Sequence, residues 1–372
     1  MPTSRLFRPR SWPVAVKLSL ELVLAALAPL LLAMWITTSQ SRARLQQQAA
    51  DNVELLAGVT AARLDQLLLD TSRVARTLSK EDLIVRYCAG DEATRRELLP
   101  AVQRKIELIV HSNPDFASVL IDSAEGICLA ATSADMVGVD YRFREYVQKA
   151  LQGEYFISPM IVGKTSKVPG IFFSAPVHAE GAAPATMAAT TAPAGDIVGV
   201  VALKLDGRGV WSLIDSVRVG QRGYAMLSNA DGVCVAHYDH DKLFHSFAPL
   251  GEDRIKAIDP KTQWNVETIG SLDLPELMTA LPRAKSKGTQ RFTAESEEGT
   301  GDEREQWIAG FAPLQERDMV VSIVQPMREF DHPIAAMLRQ QIWIVVAVAM
   351  FAAALALLQA RRTVRPVLAV TE

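Results

Sequence analysis

Two uninterrupted apolar runs bracket the chain. The first, Leu18 to Thr37, carries one charge, Glu21; the second, Gln340 to Ala360, carries none. Each is long enough to cross about 30 Å of hydrocarbon as a helix. After the first run, residues 38–85 contain no proline. Leu45, Ala49, Val53, Leu56, Leu64, Leu67, Val74 and Leu78 recur there in steps of mostly threes and fours. That spacing predicts one long helix with a single apolar stripe, ready to dock on its own domain or on a twin helix of a second copy. A second helical pattern, EATRRELLPAVQRKIELIVHSN, follows it.

Beyond residue 115 the period shortens to that of strands. Strands are predicted at Phe116–Ile121, Tyr155–Ile157, Gly170–Ser174 and Ile197–Leu205, with a helix over DYRFREYVQKALQGE closed by Gly153. An Ala/Thr/Pro-rich stretch, HAEGAAPATMAATTAPAG, reads as a solvated loop insertion. The order then repeats: a helix over GRGVWSLIDSV, strands at Tyr224–Ser228 and Val233–His237, a loop region, a helix over LPELMTALPRA, and three closing strands within GTQRFTAES, EQWIAGFAPL and MVVSIVQP. Two hairpins rhyme within this repeat. LIDSAEGICLAA and LSNADGVCVAHY share an Ala-acid-Gly turn followed by an apolar residue and a cysteine, and their glycines, Gly126 and Gly232, stand 106 positions apart. A small α/β unit used twice in tandem explains the rhyme.

Charge orients the apolar runs. Arg5, Arg8, Arg10 and Lys17 precede the first, and Arg361, Arg362 and Arg365 follow the second. Cytoplasmic flanks collect such residues, so both termini read as cytoplasmic and residues 38–339 as extracytoplasmic, in a two-pass protein of the cell (inner) membrane. A cleaved signal peptide is the alternative for the first run, but no small-x-small site follows it convincingly, so an uncleaved anchor is expected. Glu21 stands one turn from Lys17 and is expected to pair with it near the interface. The length of 372 residues allows two ordinary domains besides the anchors, and a net charge of −3 with no basic cluster outside the ends excludes nucleic acid as an expected partner.

Candidate chemistry is sparse. Cys88, Cys128 and Cys234 form no disulfide framework and no metal spacing, and are expected as small buried residues. His237, Asp239, His240, Asp241 and His245 lie close in sequence without a helical ligand pair, so no metal site is expected, and no cofactor motif appears. G-x-S-x-G, H-E-x-x-H and P-loop patterns are absent from the sequence, which argues against an enzyme. Arg144, on the helix DYRFREYVQ, offers a planar fork for a carboxylate, unless it pairs on the surface with Glu145 or Asp140. Alternation puts Val200, Ala202 and Lys204 on one strand face; a lysine there needs a route to solvent or an anionic partner.

Four segments, in this order and between two anchors, resemble the double Cache sensor domains of bacterial transmembrane receptors: DYRFREYVQKALQGEYFISP, PGIFFSAPV, GDIVGVVALKLD and GQRGYAMLSNADGVCVAHYDHD. The resemblance covers about residues 38–330. It implies an α+β fold of two tandem PAS-like units on a long N-terminal helix, flanked by two transmembrane helices. The divisions are a cytoplasmic N-terminus (1–17), a first membrane helix (18–37), a signalling helix (38–85), a membrane-distal ligand-binding unit (86–205), a membrane-proximal unit (206–330) and a second membrane helix (340–360). The tail 361–372 resembles the start of a HAMP linker; a kinase, cyclase, phosphatase or chemotaxis module would follow it. The resemblance also implies a homodimer through the long helix and membrane helices. It places the ligand against Arg144 and Tyr146, with hydroxyls from Ser174 and from Thr165 or Ser166. Amino-acid-binding relatives carry an aspartate where Lys204 stands, and a cation there repels an amine. Arg144 and Lys204 facing one cavity favour an organic acid and resemble the sites of four-carbon dicarboxylate sensor kinases. A module that senses by contact, its pocket filled by side chains, is the alternative.

Overall fold

The computed structural model describes residues 14–163, 167–179, 196–295, 304–330 and 338–355. These fall into two compact units, one of Met1–Ala49 with Met327–Glu372 and one of Ala50–Pro326.

The first unit contains the beginning of helix α1 (Val14–Leu78) and helix α9 (Leu338–Leu355). α9 is long and apolar enough to cross a membrane, with a mean hydropathy of 1.7 over 18 residues, and 6% of it is buried. Large apolar side chains stand exposed on both helices, among them Leu31, Leu32 and Trp35 on α1 and Trp343, Met350 and Phe351 on α9. Thr38 donates a hydrogen bond to Gln341 Oε1 at 3.4 Å within this unit. The Lys17–Glu21 pair and the HAMP-like tail lie outside the residues whose side chains are described.

In the second unit, α1 buries a line of largely small residues, Val53, Ala57, Ala61, Leu64, Leu68, Ala75 and Leu78. Leu56, Leu67 and Val74, expected in that stripe, are only half-buried. Close packing is the reason for the shift. A Cβ at Gly310 would lie 2.2 Å from the carbonyl carbon of Val53, so helix backbone presses directly on the sheet. The helix predicted to run to residue 85 ends at Leu78; a turn follows, and α2 (Asp82–Ala89) begins anew. Asp91 caps α3 (Glu92–Ser112) by accepting from the Thr94 amide at 2.9 Å.

Two antiparallel sheets follow. The first comprises β1 (Phe116–Ser123), β2 (Cys128–Ala131), β3 (Phe156–Val162), β4 (Pro169–His178) and β5 (Ile197–Asp206), in the order β2-β1-β5-β4-β3, with α4 (Glu145–Leu151) between β2 and β3 in sequence. After α5 (Gly207–Asp215), the second sheet comprises β6 (Arg218–Val219), β7 (Gly223–Asn229), β8 (Cys234–His237), β9 (Gly288–Glu295), β10 (Arg304–Pro313) and β11 (Met319–Pro326). Its order is β6-β7-β11-β10-β9 with β8 on β7. Leaving β6 aside, the two topologies are the same. The loop region predicted after β8 instead contains α6 (Glu252–Ile258) and α7 (Pro260–Trp264), and the helix before β9 shortens to α8 (Pro275–Ala280).

The rhyme in sequence is a rhyme in hydrogen bonds. Gly126 donates to Ser123 O and Gly232 to Asn229 O; Cys128 donates to Val139 O and Cys234 to His245 O; Tyr141 donates to Gly126 O and Phe247 to Gly232 O. Both turn glycines have positive φ, 78° and 71°, a conformation in which a side chain would be strained. The thiols of Cys128 and Cys234 each donate to the carbonyl two residues on, Ala130 and Ala236. Both cysteines are fully buried, and burial pushes the Cys234 thiol up to about 12.

Candidate functional site

The central strands of the first sheet set the site. β1 pairs with β5 so that Ser118 faces Lys204, Leu120 faces Ala202 and Asp122 faces Val200; β4 adds Phe172 beside Lys204 and Ser174 beside Ala202. Side chains alternate along strands, so these residues share one face. α4 covers it, with Tyr146 stacked on Phe172 at 4.5 Å and an interplanar angle of 5°. Ser174 Oγ donates to the Tyr146 carbonyl at 2.6 Å, fixing α4 to the sheet.

Lys204 is 1% exposed, so its ammonium does not reach solvent as an aliphatic stem with a wet head would. Its chain passes over Gly170, where an added Cβ would lie 2.6 Å from Cε, and Nζ donates to Val168 O at 2.7 Å. Burial pulls its pKa down to about 8; Asp206 opposes the shift, and Arg144 and Arg208 add to it. Arg144, at the N-terminus of α4, is also buried, and burial lowers its pKa. Its Nη2 donates to Val162 O at 3.2 Å. Val162 ends β3 and Val168 precedes β4, and Gly163 donates to Val168 O at 3.1 Å, closing the neck between the two strands. The two cations therefore hold opposite sides of one hairpin neck. The surface pair considered for Arg144 does not form: Asp140 binds Arg142 at 2.7 Å, and among the described residues no carboxylate lies within ion-pair distance of Arg144.

Arg144 borders a cavity of about 340 Å³, within the range of small-molecule sites. Gly163 and Lys167 of the hairpin line it together with Lys261, Thr262 and Asn265. Lys204 sits behind the hairpin neck and does not line it. Thr165 and Ser166 lie outside the described residues.

The second sheet supplies an internal control. There Tyr224 faces Val324 where Ser118 faces Lys204, and Phe311 faces Ser322 where Ser174 faces Ala202. Tyr224, Val324 and Phe311 belong to an apolar cluster with Trp307 and Phe247. At the position equivalent to Lys204 the second copy carries an apolar residue.

Residues 41–334 match the Cache domain family. The chain belongs to that family. Its Cache fold is similar to solved sensor domains. The sensor domain of the histidine kinase DctB from V. cholerae superposes with a TM-score of 0.58 at 18% identity, covering 77% of this chain and 98% of that one. The sensory domain of the Campylobacter jejuni chemoreceptor Tlp3 with isoleucine bound gives 0.53 at 13% identity, covering 78% and 98%. No curated protein sequence matches this chain significantly.

Within this Cache domain, the side chains that sequence reasoning missed are Lys167 and Lys261. Lys167 belongs to a hairpin loop whose sequence, GKTSK, announces only polarity, and Lys261 to a helix that no periodicity reveals. In the loop considered for metal, His237 Nδ1 accepts from the Asp239 amide at 2.9 Å, and burial lowers its pKa to about 4.

Proposed function

We propose that this chain is the extracytoplasmic sensing region of a two-pass bacterial receptor, and that its distal unit, residues 86–205, binds a small carboxylate at Arg144. Residues 206–330 form the membrane-proximal unit, residues 38–339 lie outside, and a HAMP linker leads to a kinase, cyclase, phosphatase or chemotaxis module. The observation that carries the ligand class is Arg144, a buried guanidinium with one carbonyl partner and no acid, opening on a cavity. A carboxylate takes the guanidinium fork in two parallel bonds, stronger than the single bond to Val162 O. Lys204 supports the same hairpin neck and adds positive potential behind it. Against the isoleucine-bound chemoreceptor domain, Lys204 argues for an acid without an amine. Binding transmits a signal only if it favours one of two arrangements of the hairpin and its neighbours. Leu55 and Val59 stand exposed on α1, which supports a dimer through that helix.

The Tyr146–Phe172 stack, which fills the face under α4, favours the second reading, a unit that senses by protein contact. Melting of the full chain in lipid nanodiscs, with and without organic acids and amino acids, separates the two. A shift with an organic acid, lost in Arg144→Ala and weakened in Lys204→Ala, supports the acid site; no shift with any small anion favours the contact module.

A further inference from the structure

The cavity beside Arg144 is not closed by the distal unit. Its far wall is α7, and α7 is firmly held. Asp259 caps it by accepting from the Thr262 amide at 3.2 Å, and Trp264 is buried, stacked on Phe244 at 5.4 Å. Trp264 Nε1 donates to Met160 O of β3 at 2.8 Å, which docks α7 on the strand that leads into the hairpin. Asn265 turns the chain away at a φ of 57°.

Among the described residues, three with formal positive charge, Arg144, Lys167 and Lys261, line the space, and no aspartate or glutamate does. Lys261 leans on Glu267 at 3.2 Å, but both side chains are more than two-thirds exposed, at 72% and 83%. Such a pair is held weakly and yields readily to an anion in the cavity. An acid with one carboxylate satisfies Arg144 and leaves the opposite cations repelling one another. An acid with two satisfies both walls.

We infer that the cavity takes a small dianion whose first acid group binds Arg144 and whose second binds Lys261 across the seam, with Lys167 at the rim. The inference rests on the acid-binding reading above and adds the second acid group, its partner and the bridge between units. An occupied cavity ties α7 of the proximal unit to the hairpin of the distal one. Lys204, bonded to Val168 O behind the neck, is not the partner of the second group.

Calorimetric titration of the full chain in nanodiscs with succinate and with butyrate tests this. The wild type is expected to bind succinate at least about tenfold more tightly than butyrate. In Lys261→Gln that preference falls to about threefold or less while butyrate binding is unchanged. Lys261→Arg restores the preference, and the melting temperature without ligand stays the same because Lys261 is exposed. An unchanged preference in Lys261→Gln, with both acids lost in Arg144→Ala, overturns the bridge and leaves the acid site standing. Weakening by Lys204→Met but not by Lys261→Gln overturns it equally. No binding of either acid by the wild type overturns the acid reading itself and the bridge with it.

Discussion

Asp122 offers the sharpest test of the electrostatic reasoning. It lies on β1 opposite Cys128 and Val200, is fully buried, and neither carboxylate oxygen has a hydrogen-bond partner. The groups that sense it are the Cys128 thiol beside it, Cys88 of α2 and the Tyr146 phenol of α4. All are neutral, and burial raises all three, so none offers a compensating cation. Burial pushes Asp122 up to about 7, opposed by the Cys128 thiol. A carboxyl raised in the folded state is most favourable to folding below its ordinary value near 4, and its contribution declines as pH climbs to the folded value. A rise of that size corresponds to about 4 kcal/mol lost between about pH 4 and pH 7, and none further above. Asp122→Asn removes the ionisation and keeps the shape. The variant should melt close to the wild type at pH 4.5 and pull ahead as pH rises, by about 8 °C or more at pH 8. Scanning fluorimetry of both proteins from pH 4.5 to 8.5 measures the difference directly, with all other titrating groups common to the pair. A difference that stays flat across that range refutes the claim that this carboxyl is buried without a partner.

Two further outcomes follow from the packing. Gly310→Ala drives a Cβ to within 2.2 Å of helix backbone at Val53 and 2.4 Å of the Glu54 amide nitrogen, so α1 must shift. The expected cost is about 1–3 kcal/mol, with earlier proteolysis of α1 beyond Ala50; unaltered melting and cleavage would contradict the direct backbone contact. Lys204→Met should raise the melting temperature of the ligand-free protein at pH 7 while weakening its response to acids. A lysine lowered to about 8 penalises folding below that pH, and the penalty fades as pH rises towards its ordinary 10.5, so the advantage of Met shrinks by pH 10. Val168 O keeps the Gly163 amide as donor in the variant. A melting temperature below the wild type at pH 7 would count against a strained ammonium.

What the sequence revealed and what it hid have physical causes. The repeated hairpin was legible because its turn demands a glycine at positive φ and its return strand demands a small residue, and both demands leave marks in the chain. Lys204 was legible because alternation on an apolar strand isolates a charge. The break after Leu78 was hidden, since the apolar spacing runs on into α2 and no proline or glycine marks the turn. β3 was underestimated because the residues that bury its second half are distant in sequence: Val162 packs with Trp264 and Ile258, about 100 residues away, and Ile161 in the core under α4. α6 and α7 read as loop because a polar, five- to seven-residue helix has no period to detect; its stability comes from the Asp259 cap and from docking. The partners of Arg144 and Lys204 are carbonyls, and backbone carbonyls carry no signature in any sequence.

The bonding of the edge strand β3 leaves it open to movement. Its ladder to β4 slips between Ile157 and Met160, around Pro159, which has no amide to donate. There Ser158 Oγ takes the place of a backbone acceptor, receiving the Phe172 amide at 2.9 Å. A strand paired on one side only, by an interrupted ladder, can shift at one end at less cost than β1 and β5, which are paired on both sides. Three of the contacts it makes outside its own sheet lie at its two ends and its middle. Arg317 of the β10–β11 turn stacks over Phe156 at 5.3 Å, Met160 O receives Trp264, and Val162 O receives Arg144. Burial lowers the pKa of Arg317, which marks the first of these contacts as partly dry. An acid that draws the Arg144 guanidinium off Val162 therefore acts at the end of an edge strand of the first sheet, a strand that Arg317 and Trp264, both from the second half of the chain, also touch.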